Sequence, residues 1–183
     1  MSNETRMLRV IMECLEAFQK ASIGNLPKKI QSDIKGHACI AAGSALIPIP
    51  GVSAAASVAN IWAMYATINS DIGIKFSENI LKSVASGVVA NLGGYITLLT
   101  VGELLKFIPG VGSFAGAAIG GGVAYAITLT SAYVYLKAIT LMAKEESDFN
   151  DESKLKYEVD GILRNDQEEI KDMLKEAKKS YKA

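Results

Sequence analysis

This 183-residue chain has few of the residue types from which active sites are commonly built. His37 is its one histidine, and Cys14 and Cys39 are its two cysteines. These are too few for zinc, which usually takes three or four protein ligands, and two thiols do not make a disulfide framework. We expect His37 to meet a polar neighbour or a lipid headgroup region, and both cysteines to be small buried residues.

Sequence motifs for enzyme chemistry and nucleotide binding are also missing. The chain contains neither the Gly-x-Ser-x-Gly turn of a hydrolase nucleophile nor a Gly-x-x-x-x-Gly-Lys-Ser/Thr phosphate loop. Basic and acidic side chains each number 19, whereas a protein that neutralises many phosphates is normally basic. We therefore expect no enzymatic activity, no cofactor or metal, and no binding of nucleotide or nucleic acid by this chain.

Charged side chains are absent from three long stretches, residues 36–70, 83–102 and 107–136. Such stretches need shelter from water, either in a lipid bilayer or inside a helical bundle. The first six residues lack the apolar core of a secretory signal, so we expect the chain on the cytoplasmic side.

Two similar phrases interrupt the hydrophobic sequence and predict turns between helices. The first contains Pro48, Pro50 and Gly51, and the second contains Pro109 and Gly110. Proline lacks an amide hydrogen and disfavours helical geometry in the residue before it, while glycine permits a tight turn. We therefore predict two hydrophobic helical hairpins turned at these Pro-Gly motifs.

Apolar residues recur at helical spacing through most of the chain, and no segment shows the alternation of a strand. We predict an all-α bundle of about six to seven helices, in which amphipathic arms at about residues 5–35 and 155–181 flank the hairpins. Asp166 and Glu169 fit a capping box that divides the second arm into two helices. The hairpin helices are expected at about 52–71, 78–106 and 111–144, with residues 1–146 as one helical domain and 147–183 as a loop and C-terminal arm.

Gly112, Gly116 and Gly120 share one helix face because they lie four residues apart. A ridge of glycines lets another backbone approach closely, as in helix pairs inside membranes. The spacing fits a membrane-embedded pair or an oligomer seam, and it equally fits tight packing within a soluble bundle. We expect these glycines to be helix-packing residues in either case.

The sequence from His37 to about Met142 resembles the bacterial domain-of-unknown-function family 697. The likeness lies in His37 before a small-residue helix, in the phrase at 46–51, and in the phrase at 106–112 with the small-residue helix after it. The family's domain commonly follows a GTPase domain in Era-like GTPases or occurs in inner-membrane proteins. The resemblance implies a membrane-associated helical module that works with a partner, although similar members often carry an acidic residue where this chain has Ser53.

Three functions remain open from the sequence. The first is a non-enzymatic module at the inner membrane that works with a protein partner, such as a GTPase. The second is a soluble adaptor or binding protein that buries its hydrophobic hairpins. The third is a pore-forming or membrane-disrupting protein stored in soluble form. Association into a homo-oligomer also stays open.

Overall fold

The computed structural model describes residues 25–44, 52–104, 113–145, 147–149 and 151–181. Six helices and no strand lie within those ranges, so the predicted all-α bundle is confirmed. The helices are α1 (Lys28–Ser44), α2 (Val52–Ile72), α3 (Glu78–Leu104), α4 (Ser113–Lys144), α5 (Glu152–Asn165) and α6 (Gln167–Ser180).

Helix α1 buries a single apolar stripe against the rest of the bundle. Ile30, Ile34 and Ala38 recur at four-residue spacing and are almost inaccessible to solvent. Cys39 is exposed, so the expectation that it is buried is wrong. The reason is helical geometry, because one residue beyond Ala38 the side chain points about 100° away from the buried stripe.

Helix α2 ends at Gly73, as the sequence predicts, and the chain turns directly into α3. Gly73 has a φ of 90°, and its amide donates to the carbonyl oxygen of Asn69 at 2.8 Å. Glycine adopts this left-handed conformation without steric cost, which explains the break. Ser77 then starts α3 by accepting a hydrogen bond from the amide of Ile80 at 3.3 Å.

Helix α4 is the centre of the bundle and packs against each of the other five helices. From residue 128 to residue 140 every side chain except Lys137 is buried, which accounts for an almost continuous apolar sequence rather than an amphipathic one. The completely or almost completely buried side chains of α4 include Ala132, Val134, Tyr135, Leu136, Ala138, Ile139 and Met142.

The C-terminal arm forms α5 and α6, divided at Asp166 as predicted, but the predicted capping box is wrong. The side chain of Asp166 makes no capping hydrogen bond. It lies 3.1 Å from the ammonium of Lys137 on α4, and Glu169 pairs with the same lysine. Both carboxylates therefore bind across helices instead of closing the first turn of α6.

The apolar residues predicted for the arm, from Leu155 to Ala177, belong to the same hydrophobic cluster as α1 to α4 or pack against it. The proposed division between residues 1–146 and 147–183 stays a prediction. The opening helix and the turn residues Pro48, Pro50, Gly51, Pro109 and Gly110 lie outside the described residues.

Candidate functional site: an uncharged surface and a polar clamp

Helices α1 and α2 run in opposite directions, and the charged side chains of this pair lie toward one end. Lys29 near the start of α1 pairs with Asp71 at the end of α2, and further along α1 His37 meets Asn60. The start of α3 lies against α5, where the amide of Ser77 donates to Glu152 at 2.6 Å. The ends of α1 and α3 and the beginnings of α2 and α4 therefore share the opposite end of the bundle.

Toward that opposite end, the exposed positions that the structure describes on α1, on α2 from residue 55 and on α3 as far as residue 94 carry no charged side chain. We call this set the uncharged surface. Its largest member is Ile40, which is 61% exposed. The members are Gly36, Cys39, Ile40, Gly43 and Ser44 on α1, Ala55, Ala56 and Ala59 on α2, and Ser86, Gly87, Ala90 and Gly94 on α3.

The glycines of the uncharged surface have no packing role within the described part of the chain. A Cβ atom built at Gly36, Gly43, Gly87 or Gly94 meets no atom within 4 Å. Each glycine nevertheless lies inside a helix, where it costs about 0.5–1 kcal/mol relative to alanine. No contact among the described residues offsets that cost. These glycines are therefore suited to close contact with a molecule or segment outside the described residues.

A polar contact between α1 and α2 borders the uncharged surface. The Nδ1 of His37 lies 2.9 Å from Oδ1 of Asn60, whose amide donates to the carbonyl oxygen of His37 at 3.0 Å. The predicted polar neighbour of His37 is therefore confirmed. Among the described residues no group of three or more His, Cys, Asp or Glu side chains could hold a metal ion.

At the charged end, Lys29 bridges two carboxylates from different helices. Its Nζ lies 3.1 Å from Asp33 on α1 and also pairs with Asp71 on α2. Hydrogen bonds to Asp71 and then Asp33 raise the pKa of Lys29. The pairing orients α1 along α2, and surface pairs of this kind contribute little to stability on their own.

Between α2 and α4 the core contains a stacked pair of tyrosines. The rings of Tyr65 and Tyr135 lie 4.0 Å apart and almost parallel, at 8°. The Tyr135 hydroxyl donates to Oδ1 of Asn69 at 2.7 Å, and the Tyr65 hydroxyl donates to the carbonyl oxygen of Ser131 at 3.3 Å. Burial raises the pKa of both phenols, so they remain protonated donors.

An open cleft of about 500 Å³ lies beside this pair, where α2 turns into α3. Asn69, Ser70 and Lys75 contribute its polar side chains, and Ile74, Phe76 and Leu81 contribute apolar ones. The Nδ2 atom of Asn69 is buried and has no acceptor among the described residues, so the cleft offers no exposed amide to a ligand.

A polar clamp joins α4 to the start of α6. Its members are Lys137 and Tyr133 on α4 with Asp166 and Glu169. Lys137 pairs with both carboxylates, and the Tyr133 hydroxyl donates to Glu169. Burial lowers the pKa of Lys137, but its hydrogen bonds to Glu169 and Asp166 outweigh burial and raise it. Lys137 is only 22% exposed, so the clamp compensates for a charge that is partly removed from water.

Tyr181 holds the other end of α6 against a pair of glycines on α4. A Cβ atom built at Gly121 lies 2.9 Å from the Tyr181 hydroxyl oxygen and 3.3 Å from the carbonyl oxygen of Ala42. At Gly122 it lies 3.2 Å from the Tyr181 ring. These two glycines therefore admit a tyrosine and the backbone of α1, which the periodicity of the sequence did not indicate.

The predicted glycine ridge is only partly within the described residues. Gly112 and the surroundings of Gly116 lie outside them, and Gly120 is partly exposed on α4. The role of the ridge in pairing with another chain stays a prediction. Its nearest described neighbours, Gly121 and Gly122, pack within this chain.

Residues 120–144 of α4 are apolar and long enough to cross a membrane, and they are the one such segment among the described helices. However, 78% of that apolar window is buried inside the bundle. A core helix of a soluble protein satisfies the same criterion, so the length and composition of α4 are weak evidence for a membrane span.

The comparisons with known proteins give no match: no protein-family model, curated protein or solved structure is similar to this chain. The resemblance to family 697 stays a prediction, and the functional interpretation depends on the surface and the clamp.

Proposed function

We propose that this protein is a non-enzymatic module that binds a lipid membrane through its uncharged surface. The observation that carries the proposal is the composition of that surface, on which three neighbouring helices present only small, uncharged or apolar side chains. Contiguous exposed areas without charge or large polar groups mark sites of interaction with proteins or membranes.

The lysines near the end of α6 support the same orientation. Lys178 and Lys179 occupy its last turn, close to Tyr181, which contacts α4 at Gly121 and Gly122. Basic residues beside an apolar surface are attracted to anionic headgroups, by about 1 kcal/mol for each lysine near the membrane. On this proposal the protein lies at the cytoplasmic face of a membrane, where a protein partner such as a GTPase remains an expectation from the resemblance.

Two exposed side chains provide a matched test of the surface. Ile40 is 61% exposed within the uncharged surface, and Tyr157 on α5 is 64% exposed outside it. Lysine costs about 2.5–3.5 kcal/mol in the bilayer centre, and isoleucine gains up to about 0.6. We expect Ile40→Lys to weaken binding to phosphatidylcholine vesicles by up to about 1,000-fold, less if the lysine reaches the headgroups.

The control is Tyr157→Lys, which adds the same charge at a similarly exposed position. Flotation of the full chain with vesicles measures both variants, and circular dichroism verifies that each remains folded. Equal flotation of wild type and both variants contradicts the proposal, as does wild-type protein that stays at the bottom of the gradient.

The burial of α4 favours a second candidate, a membrane-disrupting protein stored in soluble form. The apolar segment at 120–144 is covered by the amphipathic helices α1, α5 and α6. Leakage of a dye from the same vesicles distinguishes the two functions, because a module that only lies on the surface binds without releasing the dye.

A further inference from the structure

Helix α6 is attached to the body by a narrow apolar stripe. Its buried side chains are those of Ile170, Leu174 and Ala177. Three ion pairs, at three-residue spacing, lie within α6 itself: Lys171–Glu168, Lys175–Asp172 and Lys179–Glu176. These pairs stabilise α6 as a helix but do not hold it to α4.

Contacts at each end of α6 add to this attachment, as does Lys171, whose ammonium lies 5.8 Å from the ring centre of Tyr95 on α3. The clamp of Lys137, Tyr133, Asp166 and Glu169 holds its beginning, and Tyr181 on the glycine pair holds its end. A 14-residue helix is marginal in water without tertiary contacts. Loss of the clamp therefore frees a segment that has little stability of its own, and local opening of this kind is common in proteins.

Helix α6 covers the part of the chain that is most apolar. It lies along α4 from Lys137 to Gly121, within the segment long enough to cross a membrane. Residues 107–136 contain no charge, so an α4 without its cover exposes an uncharged strip beside the uncharged surface. A change in the charge of the clamp therefore controls how much apolar surface of α4 is exposed to solvent.

We propose that α6 is a releasable cover, held by the clamp, and that its release strengthens the binding of this protein to lipid. This inference rests on the proposed membrane function, since it describes how the same binding is restrained. The occupant of the uncovered strip is the lipid surface itself, because the strip between residues 121 and 136 of α4 carries no charged side chain, whereas α6 leaves as a charged, water-soluble helix.

The test uses one charge reversal at two positions of α6 in the full chain. Glu169→Lys places a cation against Lys137 and removes the acceptor of Tyr133. Glu176→Lys makes the same change where the carboxylate pairs only within α6, with Lys179, and is 69% exposed. Because both variants change the net charge by the same amount, Glu176→Lys controls for the effect of charge on vesicle binding.

Hydrogen exchange measured by mass spectrometry reports the opening of α6, and flotation with phosphatidylcholine vesicles reports lipid binding. For Glu169→Lys we expect amide exchange in α6 and vesicle affinity each to rise about tenfold, while α2 and the second half of α4 stay protected. Glu176→Lys is expected to behave as wild type in both measurements.

Three results contradict the proposal that α6 is a releasable cover. They are unchanged α6 exchange in Glu169→Lys, faster exchange without tighter vesicle binding, and an equal rise in binding for both variants. Failure of the membrane function looks different, because Ile40→Lys then binds as wild type does. If Ile40→Lys reduces lipid binding and Glu169→Lys leaves it unchanged, only the proposal that α6 is a releasable cover is contradicted.

Discussion

Replacing Tyr135 by phenylalanine is expected to destabilise this protein more than the same replacement at Tyr65. The two tyrosines form one stacked pair and are both fully buried. Each variant therefore loses one hydroxyl group from the same environment and retains the ring. The difference between the two variants isolates the hydrogen bonds that the hydroxyls make.

The magnitude follows from what each hydroxyl leaves behind. The Nδ2 atom of Asn69 has no acceptor among the described residues. Without the Tyr135 hydroxyl at 2.7 Å, the Oδ1 atom of Asn69 loses its hydrogen-bond donor as well. An unsatisfied buried amide costs about 1–3 kcal/mol. The Tyr65 hydroxyl bonds a carbonyl inside α4 at 3.3 Å, and its loss costs about 0.5–1 kcal/mol because the helix already uses that acceptor.

Chemical unfolding in urea, followed by circular dichroism, measures both free energies of unfolding. One kcal/mol corresponds to about 2–4 °C in Tm for a chain of this size, so a thermal melt provides a second measurement. A Tyr65→Phe variant that is destabilised as much as Tyr135→Phe, or more, refutes the reasoning. So does a Tyr135→Phe variant as stable as wild type, because Asn69 then has another partner.

Three further predictions concern the glycine pair, the start of α5 and the clamp. Gly121→Val places a side chain against Tyr181 and Ala42, and we expect it to lower the free energy of unfolding in urea by about 1–3 kcal/mol. Gly87→Ala meets no neighbouring atom, and we expect it to raise the same free energy by about 0.5–1 kcal/mol. Asp151→Ala removes the acceptor of the Ser153 amide, and we expect a loss of about 1 kcal/mol by thermal unfolding; an unchanged Tm contradicts the cap. Burial raises the pKa of Glu169, but hydrogen bonds from Lys137 and Tyr133 outweigh it and hold that pKa below its ordinary value of 4.5. The folded pKa is the lower one, so this stabilisation is present above about pH 4.5 and lost as the pH falls through the folded value; α6 exchange should accelerate there in wild type, and an equal acceleration in Glu169→Gln contradicts the assignment.

Helix positions and buried faces could be predicted from the sequence where apolar spacing is regular. The stripe of Ile30, Ile34 and Ala38, the break at Gly73 and the two helices of the C-terminal arm all follow from local periodicity and backbone preference. These features depend on residues within a few turns of one another, which a single sequence displays directly.

Contacts between helices could not be predicted in the same way. Asp166 and Glu169 have the spacing of a capping box, but Lys137, about 30 residues earlier, competes for both carboxylates. Tyr181 finds Gly121 and Gly122 only after α6 has folded back along α4. A tertiary partner thus overrides a local pattern, and the sequence contains no local signal that reveals such a partner.

The most direct test of the account is the environment of Cys39 when the protein meets a membrane. Cys39 is exposed beside Ile40 on the uncharged surface, so with Cys14 replaced by serine it accepts one environment-sensitive fluorophore. We expect its emission to shift to the blue with phosphatidylcholine vesicles and to be quenched by nitroxide-labelled lipid. A fluorophore on Tyr157→Cys, with both native cysteines replaced by serine, should do neither. If the emission of the fluorophore on Cys39 is neither shifted nor quenched, whether the protein is bound to vesicles or free, the claim that this surface contacts lipid is contradicted.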